Sequence, residues 1–276
     1  PGLLRAYEPA DYDVTVTCSS PFTNWVLRRA GGSRRPAHVF VTQNGDWPAF
    51  ARTGEYRFFG CDGLICINPD YYARNASSYR AALIPNGVDT KRFRPGPEER
   101  ERFGLPADGP LVLMVSAMIA SKNIDNGIEA VGRVPGATLV IAGDGPLRDD
   151  LQRLADEHLP GRYRPVSVPA PEMPALYRSA DAVLHLSQDE SFGNVYVEAM
   201  ACGTPVIAWD SPRTRWIVGD VGILADPSAP ESLSGWIAAS VAGEGPSQAD
   251  LVARAAKFEW AGIATQYREF FETVAA

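Results

Sequence analysis

The sequence has little of several features that mark particular classes of protein. Only four cysteines and three histidines occur among its 276 residues, and none of their spacings would bind zinc. No apolar run approaches the roughly 20 residues that a membrane-spanning helix needs. Positive charge is also scarce, and a net charge of −7 argues against nucleic acid as the main partner. We therefore expect a globular, cytoplasmic protein whose thiols are reduced and mostly buried.

Short apolar segments recur along the chain, and helix-length segments follow several of them. Their side chains do not alternate between polar and apolar, which is typical of parallel strands covered by helices on both faces. The predicted strands are 12–18, 38–43, 63–68, 111–116, 137–143, 181–187 and 204–210. The predicted helices include 123–134, 146–159 and 194–203. This alternation of strands and helices predicts a doubly wound α/β fold.

A stretch rich in proline, glycine and charge, near residues 85–110, predicts a boundary between two domains. Residues 1–90 hold few predicted strands for an independent α/β domain. Residues 106–258 are expected to form a complete domain with about six strands. The last segment, 259–276, carries an apolar stripe at helical spacing that needs a partner surface. The stripe consists of Trp260, Ile263, Tyr267, Phe270 and Phe271.

Two glutamates, Glu190 and Glu198, stand on either side of a predicted junction between a loop and a helix. The loop follows a buried strand, and open α/β sheets bind ligands at that edge. Gly193 allows a tight turn there, and Asn194 is predicted to be the N-cap of the helix. The N–H groups of residues 193–195, with the helix dipole, would seat a phosphate. With Glu198 on a ribose diol and Glu190 on a sugar, the pattern indicates a nucleotide-sugar site.

The spacing of these glutamates is a weak signal by itself. Glu190 is equally a solvated loop residue, and Glu198 an exposed helix acid or an ion-pair partner. Gly143 and Gly145 either let the chain approach a phosphate or base, or form a strand-to-helix turn that requires positive φ. His185, inside an apolar strand, is interpreted as a hydrogen-bonded core residue rather than a catalyst.

The stretch ESFGNVYVEAMACGTPVIA, residues 190–208, resembles the donor-binding signature of the retaining group 1 glycosyltransferases of GT-B fold. Further segments resemble that family in the expected order: 84–89, 116–125, 142–147 and 173–187. The resemblance runs from about residue 38 to the end. It implies two Rossmann-like domains, with the N-terminal one incomplete and the helix at 259–276 packing back on it. We accordingly expect the natural protein to be longer than this chain.

The resemblance also implies a reaction, the transfer of a hexose from a nucleoside diphosphate such as UDP or GDP to a hydroxyl. It implies a retaining mechanism that needs no metal ion or other cofactor. The catalytic residues would be Glu190, on the donor-sugar hydroxyls, and Lys122, which would neutralise the departing diphosphate. The alternative for Lys122 is a solvated loop lysine without a catalytic role. The other donor-binding residues would be Gly143, Asp144, Gly145, Phe192, Gly193, Asn194, Val195 and Glu198. Base specificity would come mostly from the backbone near residues 166–173.

Two positions depart from the family pattern. Ala117 stands where many members carry an arginine, so diphosphate binding would be weaker or would use another group, such as Arg213 or Arg215. Gln43 and Asn44 stand where a histidine often occurs. These departures keep open an alternative, a nucleotide-sugar-binding protein without transferase activity. A sugar-nucleotide epimerase of the same fold fits less well, because its chemistry requires further acids and a histidine near the sugar.

The sequence does not name the donor base, the sugar or the acceptor. The acceptor would be a saccharide, a lipid-linked compound or a small molecule. Peripheral membrane association stays open for the same reason, since it would depend on the acceptor.

Overall fold

The structure is a computed structural model that describes residues 6–18, 21–29, 32, 35–43, 59–226 and 228–276. The chain divides into two compact units, one made of Pro1–Gly87 with Trp260–Ala276 and the other of Val88–Glu259. Each unit is built around its own parallel sheet, one of four strands and one of six. The predicted class, α/β with two units on parallel sheets, is confirmed.

The sheet of the smaller unit has the order β1-β2-β3-β4, with all neighbours parallel. Its strands are β1 (Val14–Thr17), β2 (Ala37–Val41), β3 (Gly63–Cys66) and β4 (Ala81–Leu83). Helices α1 (Pro21–Arg29) and α2 (Pro69–Asn75) accompany them. The side chains of β3 are all buried, because helices cover this sheet.

The larger unit has the strand order β10-β9-β8-β5-β6-β7, again with all neighbours parallel. Its strands are β5 (Leu111–Val115), β6 (Thr138–Ala142), β7 (Tyr163–Val166), β8 (Ala182–His185), β9 (Val206–Trp209) and β10 (Ile223–Ala225). Its helices are α3 (Ile124–Gly132), α4 (Arg148–His158), α5 (Met173–Arg178), α6 (Asn194–Cys202), α7 (Pro212–Val218), α8 (Pro230–Val241) and α9 (Gln248–Ala256). Leu, Val, Ile and Met side chains of the central strands form the core between these helices.

The chain changes direction across this sheet between β5 and β8. From β5 it adds β6 and β7 on one side, then returns to add β8, β9 and β10 on the other. The connections that leave β5 and β8 therefore diverge at their carboxyl ends and open a crevice, where doubly wound sheets bind ligands. This topology places the loop at 116–123 beside the loop at 186–193.

The last helix, α10 (Trp260–Ala275), belongs to the smaller unit. It approaches β3 so closely that a Cβ atom on Gly63 would lie 2.7 Å from Cγ2 of Val274. Arg80 Nη1 donates a hydrogen bond of 2.9 Å to the carbonyl oxygen of Thr273. The predicted apolar stripe thus has a sheet to pack against, although Trp260 keeps 46% of its surface exposed.

All seven predicted strands form, and three further strands, β4, β7 and β10, were not predicted. Each lies at the edge of a sheet, and each is only three or four residues long. β7 also contains Arg164 and Pro165. Proline is tolerated at an edge, where a strand does not need every N–H group. The apolar pattern therefore reveals all the central strands and the edge strand β1, and it misses three of the four edge strands.

The four cysteines are thiols and form no disulfide. Cys66 and Cys202 are buried, and Cys18 and Cys61 are partly buried. In the part of the chain that the structure describes, no helix combines the length and the apolar character needed to cross a membrane.

Candidate active site

Lys122 and Glu190 meet in the crevice of the larger unit. Lys122 ends a 3-10 turn, Ala120–Lys122, that follows β5, and Glu190 lies in the loop that follows β8. The Nζ atom of Lys122 lies 2.5 Å from Oε1 of Glu190 and donates a second bond of 3.0 Å to Oγ of Ser187. The two residues expected to be catalytic are thus brought together by neighbouring strands, although 68 residues separate them in sequence.

The two loops are also joined through Asn123. Its side-chain Nδ2 donates a hydrogen bond of 2.8 Å to the carbonyl oxygen of Leu186. Asn123 has φ of +49°, and no other non-glycine residue in the described ranges has a positive φ. Asparagine tolerates this left-handed conformation better than most residues. The bond from Asn123 to Leu186 therefore ties the residue after Lys122 to the loop that follows β8.

His185, the last residue of β8, contacts the same carboxylate oxygen. Its Nε2 lies 3.0 Å from Oε1 of Glu190, and the residue is only 3% exposed. Its ring packs edge-on against Tyr196, with 5.0 Å between ring centroids. The predicted hydrogen-bonded core histidine is confirmed, but sequence reasoning missed its partner. The available signal was its place at the carboxyl end of a parallel strand, five residues before Glu190.

Opposing effects set the charge of Glu190. The side chain is 24% exposed, and this burial would raise its pKa. Hydrogen bonds from His185 and Lys122, with the charges of these groups, overcome burial and lower the pKa of Glu190 to about 2. The group is therefore a carboxylate at neutral pH, suited to accept hydrogen bonds from hydroxyls and unsuited to donate a proton.

Glu198 lies on α6 and has a buried partner of its own. The phenolic oxygen of Tyr177, on α5, donates a hydrogen bond of 2.8 Å to Oε2 of Glu198. Burial raises the pKa of Glu198, while this bond and the positive charge of Arg92 oppose the rise. Burial also raises the pKa of Tyr177 well above its usual range, so the phenol remains a donor. No local pattern predicts this pair, because Tyr177 lies 21 residues before Glu198.

The start of α6 differs from its prediction. Asn194 was predicted as the N-cap, but the helix begins at Asn194 and the N-cap is Gly193. Gly193 has φ of +85°, in the left-handed region that favours glycine, and a Cβ atom there would lie 2.4 Å from Cε2 of Tyr196. Asn194 is exposed and Val195 is partly buried, and their N–H groups belong to the first turn. The helix therefore begins after a glycine cap rather than an asparagine cap, and the binding of a phosphate by its first N–H groups stays a prediction.

Phe192 anchors the loop between β8 and α6 by packing into the core. Its side chain is buried and packs edge-on against Phe258, with 5.7 Å between ring centroids, and against Trp216 at 6.4 Å. The side chain is therefore part of the core. A contact with a donor through its backbone stays a prediction.

Gly143 and Gly145 have a packing role in the structure. A Cβ atom on Gly143 would lie 2.0 Å from the carbonyl oxygen of Ser116, and one on Gly145 would lie 2.6 Å from that of Met118. Met118 N in turn donates a bond of 2.9 Å to the carbonyl oxygen of Asp144. The glycines thus let the turn after β6 press against the loop that leads to Lys122. Their direct contact with a donor stays a prediction.

The carboxylate of Asp144 accepts hydrogen bonds from residues that follow it closely in the sequence. It accepts hydrogen bonds of 2.8 Å from Arg148 Nε and from the Gly145 N–H group. These bonds lower the pKa of Asp144, whose side chain is exposed. The bond to Arg148 ties the turn to the first residue of α4.

The two candidate replacements for the family arginine at Ala117 differ in their surroundings. Arg215 forms a bidentate pair with Asp210, at 2.7 and 2.5 Å, and its side chain is 61% exposed. Arg213 lies in the first turn of α7. A contact between either arginine and a diphosphate stays a prediction.

The departure at Gln43 and Asn44 is described only in part. Gln43 is exposed in the turn that follows β2, and Asn44 lies outside the described residues. Within the described ranges, no three His, Cys, Asp or Glu side chains form a group that would hold a metal ion.

Residues 96–258 match the family model described as Glycosyl transferases group 1. A GDP-mannose-dependent alpha-(1-6)-phosphatidylinositol monomannoside mannosyltransferase of Mycolicibacterium smegmatis is 35% identical over 229 residues, which are 73% of this chain and 59% of that protein. A D-inositol 3-phosphate glycosyltransferase of Mycobacterium tuberculosis is 35% identical over 239 residues, 75% of this chain and 49% of that protein. The chain thus spans 49% to 59% of the length of these relatives.

Solved structures share the fold at lower identity. Sucrose-phosphate synthase from Thermosynechococcus elongatus superposes with a TM-score of 0.80 at 24% identity, over 96% of this chain and 74% of that one. Anabaena Alr3699/HepE, in complex with UDP-glucose, superposes with a TM-score of 0.82 at 21% identity, over 99% of this chain and 81% of that one.

Proposed function

This chain belongs to the group 1 glycosyl transferases, and we propose that it transfers a hexose from a nucleoside diphosphate to a hydroxyl acceptor with retention of anomeric configuration. The observation that carries the proposal is the contact between Lys122 and Glu190 where the strand order reverses. A cation and an acid that is ionised at neutral pH stand there together, in the crevice where such sheets bind ligands.

The roles follow from charge. Glu190, an acceptor with a pKa of about 2, holds hydroxyls of the donor sugar. Cleavage of the bond between sugar and phosphate leaves additional negative charge on the departing nucleotide. Lys122 and the N–H groups at the start of α6 are positive groups that stabilise this charge in the transition state. The reaction we propose proceeds through these groups without a metal ion.

Glu198 holds the nucleotide end of the donor. A carboxylate accepts two hydrogen bonds from the neighbouring hydroxyls of a ribose. Tyr177 holds Oε2, so we assign Oε1 to the ribose. Burial makes these bonds stronger than they would be in water, because the local dielectric constant is low.

The names of relatives support a donor based on either uracil or guanine. One curated relative is named as dependent on GDP-mannose, and one structural neighbour contains UDP-glucose. Two relatives are named for inositol compounds that carry phosphate, D-inositol 3-phosphate and a phosphatidylinositol monomannoside. We therefore propose a polyol or sugar hydroxyl as the acceptor.

One observation favours a second function, nucleotide-sugar binding without transfer. Ala117 leaves the site without one cation of the pair that is usual in the family. A weaker hold on the diphosphate would slow cleavage more than binding, because charge accumulates only as the bond breaks. Binding of a donor without its consumption would favour this function.

Calorimetric titration with UDP, GDP, ADP and dTDP tests the nucleotide site. We expect one of these nucleotides to bind. Glu198→Ala should lower the affinity for it about tenfold or more, the usual effect of losing hydrogen bonds to a charged group. Glu157→Ala removes an exposed acid on α4 and serves as the matched control. If none of the four nucleotides binds, or if both variants bind equally well, the proposed site is wrong.

A further inference from the structure

One carboxylate oxygen, Oε1 of Glu190, has two donors that differ in their freedom to move. Lys122 Nζ reaches it at 2.5 Å, and His185 Nε2 at 3.0 Å. The lysine ammonium sits on a flexible four-carbon stem. The histidine ring sits on a buried strand with Tyr196 packed against it. Lys122 can leave Glu190 by rotating its side chain, whereas His185 cannot.

The proposed reaction requires Lys122 to serve two anions. A diphosphate that enters the crevice attracts the ammonium, and Glu190 then loses part of its charge compensation. Burial acts against the ionised form of a carboxylate in this position. A fixed N–H donor on Oε1 keeps the group ionised and keeps its orientation. Oε2 then remains directed to the sugar.

The geometry also assigns the hydrogen of the histidine. An ionised carboxylate only accepts hydrogen bonds, so the Nε2 atom that faces Glu190 carries the proton. The ring is held on the other side by Tyr196, which is itself in close contact with the backbone at Gly193. Tyr196 and His185 thus form a packed connection between the turn at Gly193 and the carboxylate of Glu190.

We infer that His185 is a positioning residue that holds Glu190 ready for the donor sugar once Lys122 has turned to the diphosphate. This inference rests on the proposed function. It assigns to a buried strand residue a part in sugar recognition, with no direct contact between His185 and the substrate.

The test compares the affinity for a nucleotide sugar with that for its bare nucleotide. UDP and UDP-glucose, and GDP and GDP-mannose, are titrated calorimetrically into the wild-type chain, His185→Leu and His185→Gln. We expect His185→Leu to lower the affinity for the nucleotide sugar about tenfold. The affinity for the bare nucleotide should stay within about twofold of the wild-type value. His185→Gln, whose amide N–H reaches the position of Nε2, restores most of the loss. Equal weakening of both ligands, or no change in either, would overturn the inference.

A double-mutant cycle separates positioning from general damage to the fold. In a Glu190→Gln background, His185→Leu should cause little further loss of sugar affinity, because the group that it positions has already changed. Fully additive losses would contradict the inference. If His185→Leu does not fold, His185→Asn replaces it, since its shorter amide lies at the position of Nδ1.

Failure of the proposed function has a different signature. If the wild-type chain binds none of these nucleotides, the proposed nucleotide site is wrong. A wild-type chain that binds nucleotides without any gain from the sugar leaves that site standing and overturns the roles of Glu190 and His185.

Discussion

The phenolic oxygen of Tyr177 lies 2.8 Å from Oε2 of Glu198, so a neutral, buried donor holds the acid that we propose binds ribose. The two residues come from different helices, α5 and α6. The arrangement orients Glu198 and limits the rise in its pKa that burial causes.

Tyr177→Phe keeps the volume of the side chain and removes this bond. We expect nucleotide affinity to fall roughly fivefold at pH 7.5, because one hydrogen bond to a charged group is lost. The pKa of Glu198 then rises further, so affinity should fall more steeply in the variant than in the wild type between pH 7.5 and 5.5. Calorimetry across this pH range measures both effects.

Tyr163→Phe is the matched control for Tyr177→Phe. It also removes a buried hydroxyl, but at the amino end of β7, at the opposite edge of the sheet. We expect it to leave nucleotide affinity unchanged. An equal loss in both variants would show that the effect does not depend on the bond between Tyr177 and Glu198.

The pKa of Glu190 gives a stability prediction with a definite sign. Its pKa falls from an ordinary 4.5 to about 2 in the folded chain, so its contribution is complete above about pH 4.5 and is lost as pH falls toward 2. Glu190→Gln should therefore lower the free energy of unfolding at pH 7 by about 2–3 kcal/mol. The difference from wild type should be clearly smaller at pH 3.5. Denaturant unfolding at both pH values measures it, and a constant difference would contradict the assignment.

The central strands were predicted from the sequence, and Lys122 and Glu190 were predicted as residues of the site. The contact between these two residues was not predicted. The strands β5, β6 and β8 are continuous apolar runs, and the order of strands brings Lys122 to Glu190. β7 was missed because Arg164 and Pro165 interrupt its pattern at a sheet edge. The partner of Glu198, Tyr177, depends on how α5 packs against α6, which local spacing does not encode.

The same limit explains the error at the start of α6. Asparagine favours the N-cap position in general, so the sequence pointed to Asn194. The turn at Gly193 instead takes a left-handed conformation, with Tyr196 occupying the space where a side chain would be. A contact within the folded chain therefore shifted the helix start by one residue.

Arg213 and Arg215 provide a matched pair for the missing family arginine. We expect Arg213→Ala to lower the affinity for a nucleoside diphosphate about tenfold and the affinity for the monophosphate much less. The reason is that Arg213 would contact the second phosphate. Arg215 is exposed and paired with Asp210, so Arg215→Ala should change neither of these two affinities. Calorimetry with UDP against UMP, or GDP against GMP, checks this. An equal response of the two variants would rule out Arg213 as the second cation.

The central claim, retaining transfer supported by Lys122, is tested most directly by proton NMR of a reaction mixture. The mixture contains UDP-glucose or GDP-mannose, whichever binds, and D-inositol 3-phosphate, which names one curated relative. We predict a product with the anomeric configuration of the donor, and a rate lowered about 100-fold by Lys122→Ala through loss of transition-state stabilisation. Lys257→Ala, which removes an exposed lysine next to α9, should leave the rate unchanged. A product of inverted configuration, or a rate indifferent to Lys122, would contradict the claim.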